Sequence, residues 1–137
     1  MESYFEEFSV ETGRRIELKN ITANVLEILR RSGIRDGIVN VFTPHTTVGL
    51  FINEDESGLK KDIEDSLSKL LPENAGYLHD QVNDNAHAHL RSIVLGQSLV
   101  IPLNDGRILL GTWQSIFLAE FNGPRRRKVY VKIIGTR

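Results

Sequence analysis

The chain has no cysteine, which excludes disulfides and thiolate metal centres; any metal must be held through nitrogen and oxygen. No apolar run approaches the ~20 residues needed to cross a bilayer, and the acidic start, MESYFEEF, lacks the apolar core of a secretory leader. A cytoplasmic location and no membrane partner are therefore expected. Neither sign of charge dominates. Lys and Arg number 17 against 18 Asp and Glu, which removes the whole-domain field of a general nucleic-acid binder. No nucleic-acid partner is expected, although Arg125, Arg126, Arg127 and Lys128 form a local basic run. Proline is sparse, and three of the four mark breaks: Pro44 between two apolar runs, Pro72 after a helical stretch, Pro124 in a turn.

What is present has the makings of one globular domain: 137 residues with 40% hydrophobic and 26% charged content. Tyr4 to Leu18 alternates around Thr12-Gly13, which predicts a hairpin. Ile21 to Arg31 carries the stripe Val25, Leu26, Ile28, Leu29, with Asn20 or Thr22 to cap it and Gly33 to end it, and predicts a helix. Gly37–Thr43 and Thr47–Asn53 predict two strands lying side by side. A second helix starts from Asp55 or Ser57 and ends at Pro72, and a short third spans Ala86–Leu95 with Ala86, Leu90, Ile93 and Val94 inward and Asn85 as its cap. Ser98–Leu103 and Arg107–Leu110 flank the turn Asn104-Asp105-Gly106, and strands follow over Thr112–Phe121 and Lys128–Ile134. Many short antiparallel strands with two to three helices argue for an α+β fold on a twisted sheet or sandwich.

Three of the four histidines fall within Tyr77–Leu90: His79, His87 and His89, with Asp80 and Asp84 beside them. His45 lies upstream in a Pro-His-Thr-Thr run. Neutral imidazole is the commonest metal ligand near pH 7, and three histidines with an open position suit catalytic zinc. On a helix, positions 87 and 89 stand about 200° apart and cannot bind one ion together. His89 borders the apolar stripe and is the site candidate, whereas His87, spaced to pair with Arg91, is expected on the surface. His79-Asp80 offers a ligand with a neighbouring carboxylate or an acid/base pair. His45 and Asn53 sit at opposite ends of one strand, roughly 26 Å apart if it runs straight at about 3.3 Å per residue. Only a bend or a neighbouring subunit would bring Asn53 and Glu54 to His45. Farther on, Gln114 and Glu120 share strand parity, and Trp113 is equally suited to core packing and to stacking on a ring. Arg125 and Arg126 follow a tight turn and suit planar, bidentate phosphate recognition.

His45-Thr46-Thr47, Asn53-Glu54, Tyr77-Leu78-His79-Asp80, His89-Leu90, Gly96, Gly111-Thr112-Trp113-Gln114, Glu120, Gly123-Pro124-Arg125-Arg126 and Gly135 together resemble the YjbQ family, also called the secondary thiamine-phosphate synthase family. The resemblance spans nearly the whole chain. It implies an α+β fold with a β-sandwich-like core, a homotrimer, and a site near a subunit interface. It also implies an activity joining a pyrimidine diphosphate to a thiazole phosphate, with a small phosphorylated molecule as partner. His45, His79 and His89 match positions that bind metal in some members, which implies a divalent cofactor, zinc or magnesium. On this reading Glu54, Asp80, His89 and Glu120 are catalytic, and Thr46, Thr47, Asn53, Trp113, Gln114, Arg125 and Arg126 bind substrate. The alternatives are a zinc hydrolase, with the three histidines as ligands and Glu54 or Asp80 as base, and a metal- or phosphate-binding module without turnover.

Overall fold

Alternation along the last strand organises the molecule: in β8 (Arg126–Thr136) Val129, Val131 and Ile133 are buried while Lys128 and Lys132 face solvent. In the computed structural model, which describes residues 1–137, β8 lies between β1 (Glu2–Glu11) and β3 (Asp36–Phe42). The strands β5 (Ser98–Asn104) and β6 (Arg107–Ile108) extend that sheet to the order β1-β8-β3-β5-β6. A smaller antiparallel sheet, β2-β7-β4, is built from β2 (Glu17–Asn20), β4 (Val48–Asn53) and the central β7 (Ser115–Glu120).

Both faces of β7 are covered, and its side chains divide the layers. Ile116 and Leu118 join Val39, Val41, Val129 and Val131 in the core between the sheets, into which α1 (Thr22–Ser32) packs Val25, Ile28 and Leu29. Phe117, Ala119 and the following Phe121 turn the other way and meet Leu67 of α2 (Ser57–Leu70) and Ala88 of α3 (Ala86–Leu95). Each large apolar side chain among these contributes about 1.5–3 kcal/mol on burial. The result is a mixed α+β molecule with a sandwich-like core and helices over the outer face of the small sheet.

The β5–β6 hairpin has the expected turn, with Asp105 and Gly106 both at positive φ as a two-residue hairpin loop requires. Gly33 ends α1 in the left-handed conformation, as expected. Other expectations change. Tyr4 to Leu18 is no hairpin: β1 pairs with β8 and β2 with β7, so the chain passes from one sheet to the other through residues 12–16. Nor do β3 and β4 pair, for the same reason. Helix α2 is capped by Glu56, whose carboxylate accepts from the Gly58 and Leu59 amides, while Asp55 pairs with Lys60. Trp113 and Gln114 precede β7 in a turn where Gln114 Oε1 accepts from the Gly111 amide at 2.8 Å, so strand parity does not apply to them.

Candidate functional site

Glycine at position 49 allows α3 to lie close on β4, because a Cβ there would sit 2.7 Å from Leu95 Cβ. The helix is then fastened: Ser92 Oγ donates to Val48 O, and the Leu50 amide donates to Gly96 O at 2.9 Å. This docking turns His89 toward the loop between β3 and β4. His89, Ser92 and Ile93 from α3, Thr43, His45 and Thr46 from the loop, and Gln97 line one pocket of about 330 Å³. On the other side of the His89 ring lies the His79 ring, 4.7 Å away and edge-on, in an adjoining pocket of about 460 Å³ shared with Tyr77, Leu78 and Leu90.

His45 and His79 therefore flank His89, but not as a chelate. No group of three His, Asp or Glu side chains is arranged to hold a metal ion. His45 Nε2 accepts from the Lys128 amide at 2.8 Å, and His79 Nε2 lies 3.1 Å from Asn85 Oδ1. Within one chain the donor set does not fit a three-histidine centre. Burial holds both His45 and His89 below the usual imidazole value, with Arg127 pushing His45 the same way and His79 pushing His89, so both rings are neutral at pH 7.

Asp80 serves the fold: its Oδ1 accepts from the Ala86 amide at 2.9 Å and so caps α3, the role expected of Asn85. His87 is the clearest reversal. It is only 1% exposed, because α3 buries its polar stripe, His87, Arg91 and Ser92, and leaves Ile93 and Val94 outside. The stripe tolerates burial because most of it is partnered. Arg91 donates through Nε and Nη2 to Leu71 O, at 3.1 and 2.9 Å, and lies over the Phe121 ring. His87 Nε2 faces Glu73 Oε1 at 3.0 Å without hydrogen-bond alignment.

Glu120 is fully buried and its carboxylate is saturated: Arg127 donates to both oxygens, Thr12 Oγ1 to one at 2.9 Å and the Asn122 amide to the other at 3.0 Å. Burial pushes this carboxyl up, but Arg127, Asn122 and Thr12 outweigh it and hold it below the usual carboxylate range. Thr47, also buried, accepts from Arg127 Nη2 at 2.8 Å. Beside this network Arg125 and Arg126 are exposed; Arg125 Nε donates to Asn122 O at 2.9 Å, and Arg126 reaches Glu11 at 3.5 Å.

The remaining candidates stand elsewhere. Because Val48 pairs with Glu120 and Asn53 with Ser115, Asn53, Glu54, Trp113 and Gln114 occupy the opposite end of the β4–β7 ladder, roughly 17 Å away at about 3.3 Å per residue. Trp113 is 71% exposed there, which rules out core packing. The residues missed from sequence are Arg127, Gln97, Ser92 and Thr12. Only Arg127 carried a signal: it shares the parity of Val129, Val131 and Ile133, so it must point inward with a partner.

Residues 6–136 match the family model described as UPF0047 protein YjbQ-like. The chain is 48% identical over 135 residues to a UPF0047 protein of Methanothermobacter thermautotrophicus, covering 98% of this chain and 94% of that one. It is 36% identical over 130 residues to the UPF0047 protein YugU of Bacillus subtilis, covering 92% and 96%. A crystal structure of a YbjQ-like protein of unknown function from Sulfolobus solfataricus superposes with a TM-score of 0.96 at 40% identity, over 98% of both chains.

Proposed function

The chain belongs to the YjbQ-like UPF0047 family, and from that premise we propose a small homotrimeric enzyme of the thiamine-phosphate-synthase type. It joins a pyrimidine diphosphate to a thiazole phosphate: a C–N bond forms as the C–O bond to the diphosphate breaks. Negative charge grows on the departing diphosphate, so the chemistry requires fixed donors and cations rather than a strong nucleophile. The observation that supports this reading best is the convergence of His45, Thr46 and His89 on one pocket, with His45 bonded to the Lys128 amide just beyond the exposed Arg125 and Arg126. Guanidinium forks suit phosphate oxygens, and neutral imidazoles donate or accept without demanding a counter-ion. The trimer accounts for the candidates left at the far end of β4–β7: a neighbouring subunit would bring Asn53, Glu54, Trp113 and Gln114 to the pocket's open side.

Purified protein supplied with the pyrimidine diphosphate and thiazole phosphate is expected to release inorganic diphosphate and thiamine phosphate. Rates should fall at least about tenfold in His89→Ala and Arg125→Ala, the loss of one charge-assisted hydrogen bond, with circular dichroism unchanged. Ligand binding without product would leave a phosphate-binding module instead, and unchanged rates in both variants would put the chemistry elsewhere.

A further inference from the structure

The loop between β3 and β4 is tied to the start of β8 at three points. Thr43 Oγ1 donates to Lys128 O at 3.2 Å, the Lys128 amide donates to His45 Nε2 at 2.8 Å, and Arg127 Nη2 donates to Thr47 Oγ1 at 2.8 Å. Arg127 is itself immobilised by the buried Glu120, whose remaining lone pairs are filled by Thr12 and Asn122. A ring nitrogen that accepts from an amide carries no proton, so neutral His45 must carry it on Nδ1. Nδ1 is neither paired within the chain nor sealed from solvent, and the ring lines the 330 Å³ pocket.

We infer that His45 is a fixed hydrogen-bond donor, presenting Nδ1–H to a phosphate or diphosphate oxygen in the pocket, and that Arg127 and Glu120 are the positioning residues that hold it so. The inference rests on the pocket being the ligand site. It also replaces the metal-ligand role expected of this histidine: one nitrogen is taken by an amide and the other is protonated, so neither has a lone pair to give. The clamp explains why two buried charges are kept here, since a buried pair is weak support for stability alone.

The test is long-range nitrogen–proton correlation on the full chain with ring-labelled histidine. In the free protein His45 is expected to show an unprotonated Nε2 and a protonated Nδ1; inorganic diphosphate should shift Nδ1, and added zinc should leave both where they were. A protonated Nε2 in the free protein, or a His45 nitrogen that becomes a zinc ligand, overturns the inference. Glu120→Gln and Thr47→Val should mix the two tautomers and weaken diphosphate binding several-fold. Thr47→Val spares the buried pair and covers the case in which Glu120→Gln does not fold. His45→Asn keeps a donor near the Nδ1 position and should bind diphosphate at least about tenfold more tightly than His45→Ala. Equal loss in these two variants, or a wild-type ring signature in folded Thr47→Val, refutes the donor and the positioning roles respectively. Because the tautomer is read without substrates, its failure and the absence of synthesis are separate results.

Discussion

The Arg127–Glu120 pair holds two charges out of water, where each relies on the other. Arg127→Met leaves the buried carboxylate without its cation, held only by Thr12 and the Asn122 amide, and urea unfolding should show a loss of about 3–5 kcal/mol. Glu120 also makes stability acid-sensitive. Its folded value lies below the unfolded one of about 4.3, so the stabilisation is complete above that pH and is lost as pH falls through the folded value. A melting series at acid pH should show the decline, and Glu120→Gln should remove it. The same pair marks what single residues reveal in sequence. Arg127 betrays itself by falling on the inward register of β8, whereas Thr12 and Gln97 sit in positions where polar residues are ordinary, and only the fold makes them partners. Position 135 is another constraint: a Cβ there would meet Asp36 O at 1.8 Å, so Gly135→Ala should forfeit more than about 1 kcal/mol as β3 and β8 are forced apart.

At the scale of elements, α3 was legible as a helix but not in its orientation. Its ten residues carry two stripes, one apolar through Leu90, Ile93 and Val94 and one polar through His87, Arg91 and Ser92. Transfer energies favour burying the first. The second wins because Leu71 O and Val48 O wait beneath it for Arg91 and Ser92, and the glycine at position 49 lets the helix come close enough for these bonds to form. Gly49→Val should therefore lift the helix, cost about 1–3 kcal/mol in urea and weaken ligand binding at His89. The buried stripe also confers sensitivity near neutrality. Burial pushes His87 below its usual value, against the opposing pull of Glu73. The unfolded chain then binds the extra proton, so stability is full above about pH 6.5 and falls as pH drops toward the folded value. His87→Gln should flatten that limb of a stability-versus-pH curve.

For the whole molecule, local patterns yielded strand positions but not their partners. The Thr12-Gly13 turn and the Pro44 break reverse the chain without revealing that each carries it to another sheet, because sheet membership is decided by segments a hundred residues away, as in Glu17 with Glu120. The split of the candidate site has the same origin. Leu78, Val82, Ile93 and Val94 are exposed apolar groups, Ile93 at the rim of the 330 Å³ pocket and Leu78 at that of the adjoining one, and a proposed trimer would cover them. Sedimentation should give three times the 15.5 kDa chain mass, and Ile93→Asp should yield a folded monomer. Strand β8, the last of the chain, lies at the interior of the larger sheet, hydrogen-bonded along its length to the first strand and to β3. A chain emerging from the ribosome can form its helices and the β3–β5 pair ahead of the rest. It cannot close its principal core until residues 126–136 arrive, so β1 must wait, unpaired and rich in glutamate, while the segment between it and β8 is made.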